Sequence, residues 1–163
     1  IVRVLFIDSL FFLPLLPERP IRLVDIGAGA GIPGLPLHLV DPAIELTLME
    51  SRRKRVSFLS ALKRELGLAQ IGLLEGRAED IALEVPETKD RFDVAVTRAV
   101  SPTPKFLTAC LKYVTLGGRV IVAGPPPGPD LPSLPVGFDA DWVTVPYPGG
   151  KRRRLFLIVK RQA

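Results

Sequence analysis

Short apolar, β-branched runs alternate along this chain with stretches of helical period. Ile21–Ile26, Ile44–Met49, Gln70–Leu74, Phe92–Thr97 and Arg119–Ala123 read as five strands, the last following a Gly117-Gly118 turn. Between them, Pro33–Val40 predicts a helix whose proline sits in the first turn, where no N–H is needed. Arg52–Leu66 predicts a longer one: Val56, Leu59, Leu62 and Leu66 share a face and Gly67 stops it. Pro104–Tyr113 predicts a third, again opened by proline. The composition then changes. Gly124–Gly137 is rich in Pro and Gly and reads as an irregular loop. Trp142–Val145 and Leu155–Lys160 are two late strands, and the Pro146–Gly150 joint makes them an antiparallel pair.

Alternation of this kind predicts an α/β fold: a doubly wound, mostly parallel seven-stranded sheet with helices on both faces and a C-terminal antiparallel hairpin. At 163 residues, 47% of them hydrophobic, the chain is expected to form one domain, 1–163. The expected parts are an N-terminal helix and linker over 1–20, a core over 21–123, and the loop with its hairpin over 124–163. The opening run Ile1–Leu16 is apolar but broken by Arg3, Asp8 and Pro14, too short to span a bilayer and without the order of a signal peptide. It reads as a buried helix ahead of the sheet. The chain opens on Ile rather than Met, so a truncated N-terminus is expected. No membrane association is expected; a cytoplasmic monomer is.

Net charge is +5, and the excess is local. Arg52-Arg53-Lys54-Arg55 and Lys151-Arg152-Arg153-Arg154 fit either two solvated basic turns or a surface that faces nucleic acid. Tyr147 and Trp142 are candidate base-stacking aromatics, with core packing the alternative for Trp142. A single cysteine, Cys110, allows neither a disulfide nor a Cys-based metal site within one chain, and reads as a buried apolar residue. The single histidine, His38, reads as a surface or core residue. No metal is expected.

Candidate chemistry concentrates where the first strand turns into its helix, at Asp25-Ile26-Gly27-Ala28-Gly29-Ala30-Gly31. Glycines there let a ligand approach the backbone, and the following helix points free N–H groups at the same spot. Gly29, Gly31 and Gly34 also make a formal G-x-G-x-x-G, by itself weak evidence for a dinucleotide. The acid Asp25 argues against a pyrophosphate and for a ligand with an ammonium group, such as S-adenosylmethionine, held directly or through water. Glu50 ends the second strand, where a carboxylate accepts from both hydroxyls of a ribose in either cofactor. Glu79 in Arg77-Ala78-Glu79-Asp80 is either an acid favoured by a helix N-terminus or a partner for adenine. Arg98 ends the fourth strand, as a surface arginine or at a pocket mouth.

Several segments, in order, resemble one family: Asp8-Ser9-Leu10, Val24 to Leu37 with its Ile32-Pro33-Gly34-Leu35-Pro36-Leu37 extension, Lys54-Arg55-Val56-Ser57-Phe58-Leu59, Arg77-Ala78-Glu79 and Thr97-Arg98-Ala99. The set is similar to the glucose-inhibited division protein B family, guanine-N7 methyltransferases of 16S rRNA with a Rossmann-like class I fold. The resemblance implies S-adenosylmethionine contacts at Gly27, Ile32, Glu50, Ala78, Glu79 and Arg98; Arg98 is also read as a positioning residue for either the target or the cofactor carboxylate. The resemblance further implies methyl transfer to a guanine in the decoding-region loop of the small ribosomal subunit. The family usually carries a basic residue and a His where Val4 and Leu5 stand, and a Lys where Ala123 stands. Two alternatives stay open: an inactive relative that binds the cofactor or RNA, and a small NAD(P)-dependent oxidoreductase. The second is opposed by Asp25, by the lack of a separate substrate domain and by the late hairpin.

Overall fold

The computed structural model describes residues 2–98, 103–123, 135–146 and 152–161. Seven strands form one sheet: β1 (Ile21–Ile26), β2 (Ile44–Glu50), β3 (Gly72–Glu75), β4 (Phe92–Arg98), β5 (Val114–Ala123), β6 (Phe138–Pro146) and β7 (Arg152–Lys160). Their order is β3-β2-β1-β4-β5-β7-β6. The first five are parallel; β7 runs antiparallel to β5 and to β6. The hairpin is the expected one with longer arms. Residues 124–134, 147–151, Ala99 and Ile1 lie outside the described residues.

Among the described residues the α-helices are α1 (Val2–Leu10), α2 (Gly34–Val40), α3 (Arg53–Glu65), α4 (Ala78–Glu84) and α5 (Pro104–Leu111); α2 to α5 pack on the sheet and α1 against α2. Burial divides along the pleat, because successive side chains on a strand point to opposite faces. On one face, Leu23, Leu46, Leu48, Val94 and Val96 pack with Leu35 and Leu37 of α2 and Leu59 of α3. On the other, Val24, Ile26, Ala95 and Val120 pack with Ala78 and Ile81 of α4 and Leu107 and Cys110 of α5. Cys110 is a buried apolar residue, its thiol pushed further up by burial. His38 is a satisfied core residue, its Nδ1 2.8 Å from the Ile44 carbonyl and its Nε2 3.3 Å from Gln70 Nε2.

Four expectations are revised. α3 rests on the sheet mainly through Leu59; Leu62 is half-buried and Leu66 exposed, so its apolar stripe is narrower than the spacing predicts. The opening helix is not buried: α1 keeps Asp8 and Ser9 inside while Val4 and Phe6 face solvent. Burial resumes in the next turn at Phe12, Leu15 and Leu16, where Arg119 Nη1 donates to the Leu15 carbonyl at 2.6 Å. Gly117-Gly118 does not precede β5 but lies within it, as a bulge that shifts the register against β4 between Phe92 and Val94. Pro33 precedes α2 rather than opening it.

Candidate functional site

Strand order reverses at β1, which lies between β2 and β4, and the C-terminal ends of these strands meet a cavity of about 890 Å³. A crevice at such a switch point is where open α/β sheets bind ligands. That volume lies within the range of about 300–1,000 Å³ usual for small-molecule sites.

The glycine turn after β1 is fastened to the end of β2. Gly27 and Ala28 N–H both donate to the Met49 carbonyl, at 2.9 and 3.0 Å. Gly29 N–H donates to Glu50 Oε2 at 2.9 Å, while Glu50 Oε1 accepts from Arg52 N–H at 2.9 Å. Arg55 Nη1 stands 3.6 Å from the same carboxylate. Glu50 is only 3% exposed, yet it lines the cavity. Its two oxygens offer about four lone-pair sites, so both keep capacity after these bonds. Gly29 has φ +59°, and a Cβ built there would meet only Arg55 Nη1 at 3.7 Å and Gly27 O at 3.8 Å. A side chain there would thus stand in ordinary van der Waals contact without clash, at a φ that favours glycine.

Asp25 stands elsewhere than the sequence suggests. It is 1% exposed and does not line the cavity; Oδ2 accepts from Gly34 N–H at 2.8 Å beneath the turn. The reason is the pleat: its neighbours Val24 and Ile26 point toward α4 and α5, so Asp25 points toward α2, under the returning chain. Burial pushes its carboxyl up to about 7; the Gly34 bond opposes the rise and the Glu50 charge adds to it. Asp25 thus shapes the turn rather than presenting a charge to a ligand. Gly31 is likewise internal: a Cβ there would fall 2.3 Å from Leu35 Cδ1. The acidic character expected of Asp25 belongs to Glu50 and Glu79, both of which line the cavity.

Gly27, Gly29, Ile32, Ala78 and Arg98 also line it. The β3–α4 joint is tied to β2 by Gly76 N–H donating to the Glu50 carbonyl at 3.0 Å, and the Tyr113 hydroxyl donates to the Ala78 carbonyl. Glu79 is in the first turn of α4. Arg98 bridges to α1: Nη2 donates to Asp8 Oδ2 at 3.0 Å and Nη1 to the Leu5 carbonyl at 3.4 Å. The Asp-Ser motif thus reaches the pocket through Arg98. Leu5 itself lines the wall.

Of the first basic run, Arg52, Lys54 and Arg55 line the cavity and Arg53 does not. Arg152, Arg153 and Arg154 lie on β7 opposite Pro146, Val145 and Thr144; Lys151 and Tyr147 lie outside the described residues. Trp142 packs on Phe156 with ring centroids 5.1 Å apart, a core contact. Sequence reasoning missed Phe58, Arg77 and Phe106 as lining residues. Phe58 was signalled by its place three residues after Arg55, which brings both to one helix face. Among the described residues, no three His, Cys, Asp or Glu side chains stand together to hold a metal ion, and no helix is long and apolar enough to cross a membrane.

Comparison with known proteins decides the family. The model of GidB, rRNA small subunit methyltransferase G, matches residues 1–123. The chain belongs to this family. Ribosomal RNA small subunit methyltransferase G of Acetivibrio thermocellus is 36% identical over 116 residues, 71% of this chain and 48% of the relative. That of Oenococcus oeni is 41% identical over 119 residues, 72% of this chain and 49% of the relative. The chain spans about half the length of the curated relatives it matches. Among solved structures, TrmN from Thermus thermophilus superposes with a TM-score of 0.68 at 23% identity, over 96% of this chain and 48% of that one. YcgJ from Bacillus subtilis gives 0.68 at 14% identity, over 96% and 99%. The GidB-family chain therefore has the class I methyltransferase fold, seven-stranded and mostly parallel, as the alternating pattern predicts.

Proposed function

We propose that this cavity takes S-adenosylmethionine and that the protein delivers its methyl group to N7 of a guanine in 16S rRNA of the small ribosomal subunit. One observation bears most of the weight: Glu50, buried at the end of β2, keeps both oxygens anchored on backbone N–H groups at the cavity wall. Its remaining lone pairs suit the two hydroxyls of a ribose. The fit extends to the Gly27 and Gly29 backbone and to Ala78 and Glu79, the expected wall for adenine, all of which line the cavity. A ribose on Glu50 is common to both cofactors; what favours the methyl donor over NAD is the family match. The family match supports rRNA as the acceptor.

Bound there, S-adenosylmethionine supplies a methyl group on a positively charged sulfur. Guanine N7 has a free lone pair in the neutral base, so no side chain has to remove a proton. What the protein must provide is position, which in well-oriented systems lowers a barrier by about 7–11 kcal/mol. Glu50 and the Gly27–Gly29 backbone fix the donor. Arg98, held on α1 by Asp8, positions the mouth where donor and base meet. Arg52, Lys54 and Arg55 supply phosphate contacts, which give affinity and register without reading sequence.

The test is transfer of tritiated methyl to undermethylated small ribosomal subunits, followed by nucleoside analysis, with calorimetry against S-adenosylmethionine and NAD alongside. Label in 7-methylguanosine and heat with the methyl donor alone are expected. Donor binding without label would leave a binding module; heat with NAD alone would replace the reading by the oxidoreductase one.

A further inference from the structure

The cavity has an apolar wall that the donor reading leaves unused. Phe58 is 50% exposed although the next residue, Leu59, is fully buried in the core. It lines the cavity together with Leu5, which projects from α1 on the same face of the sheet. Of the proposed donor contacts, Ala78 belongs to the other face with α4, while Glu50 lies 3.6 Å from Arg55 of α3. Phe58, on α3, therefore borders the cavity from the sheet face opposite Ala78. Lys54 and Arg55 precede Phe58 by four and three residues, which places two cations and the ring on one face of α3. Both cations also line the cavity. An aromatic ring flanked by cations at the entrance to a methyl-donor site has the chemistry of a single-strand RNA subsite: bases stack on the ring and phosphates meet the cations.

Resting on the function proposed above, we infer that Phe58, backed by Leu5, is the platform on which an unstacked RNA base lies at the cavity mouth, with Lys54 and Arg55 on its flanking phosphates. The ring sets the base plane; the cations set the backbone path. Leu5 is a short apolar side chain and adds contact without competing for the base edge. Guanine is left free to present N7 because stacking occupies its faces and not its rim.

The full chain is tested as Phe58→Ala, Phe58→Leu and Phe58→Trp. Half-exposed, Phe58 is replaceable without opening the core, and circular dichroism checks that the fold survives; donor affinity by calorimetry should be unchanged, and its loss would assign the ring to the donor and overturn the platform. Single-turnover methyl transfer to undermethylated small subunits should fall about tenfold or more in Phe58→Ala and Phe58→Leu, the size of one lost base–aromatic stack. Phe58→Trp should restore it. In a second measurement, which needs no turnover, the fluorescence that Phe58→Trp adds to the Trp142 emission of the wild type should be quenched by a short single-stranded RNA bearing one guanine and not by inorganic polyphosphate. Leucine matching tryptophan in rate, or equal quenching by polyphosphate, overturns the platform. Quenching by RNA with no methyl transfer by the wild-type chain leaves the platform standing and removes the proposed activity instead.

Discussion

Asp25→Asn separates the charge of a buried carboxyl from its shape. In the wild-type protein burial lifts this group from 3.8 to about 7. An acid with a raised folded pKa keeps its proton in the folded protein after the unfolded chain has released it. Its contribution to stability is therefore complete below about pH 3.8, falls as pH rises, and levels off above about pH 7. At about 1.4 kcal/mol per unit, a gap of about three units amounts to about 4 kcal/mol. Asparagine does not titrate. It retains an oxygen for Gly34 N–H, but it replaces Oδ1, which has no hydrogen-bond partner, by an equally unpaired amide donor. The unpaired atom is thus present in both proteins, and the difference it makes between them is small at every pH. The variant is therefore expected to be close to the wild type in stability at acid pH and to become the more stable protein as pH rises. Urea unfolding of both proteins across about pH 4 to 8 reads the difference directly, since other titrating groups cancel. A swing of about 3–4 kcal/mol toward the variant is expected. Parallel curves, or a swing the other way, would refute the buried, raised-pKa assignment of Asp25.

Three further outcomes are expected. Gly34→Ala places a Cβ 2.9 Å from both Asp25 Oδ2 and Leu46 Cδ1; a loss of about 1–3 kcal/mol in urea unfolding is the cost of such overpacking, and wild-type stability would mean the turn has slack. Glu50→Gln sets an amide N–H₂ against a backbone donor and removes the charge; affinity for S-adenosylmethionine should drop about tenfold or more by calorimetry, and an unchanged Kd would take Glu50 out of the ribose contact. Serine at Arg52, Lys54 and Arg55 together should lower the log–log salt slope of single-stranded RNA binding by about 2, whereas Arg53→Ser, outside the cavity, should leave it unaltered.

The alternation of periods 2 and 3.6 made the sheet legible, because the strands are apolar runs and α3 and α5 are amphipathic enough to announce a face. The orientation of Asp25 was not legible. β1 is buried on both faces from Leu23 to Ile26, so alternation along it does not distinguish a side chain aimed at the cavity from one aimed beneath the turn. Glu50 was readable because it is the last residue of its strand, where either orientation borders the crevice. α4 has only seven residues, too few for a periodic signal, and its start is fixed by Tyr113, distant in sequence. Arg98 was legible as a strand-end residue, but its partner Asp8 lies 90 positions away, a pairing only the fold reveals.

The most direct measurement is a crystal structure of the protein with S-adenosylhomocysteine. Ribose hydroxyls on Glu50 and the adenine edge against Ala78 and Glu79 are expected. Density for the nucleoside at any other place, or a ribose that leaves Glu50 bonded to Gly29 and Arg52 alone, would contradict the site built from those strand ends.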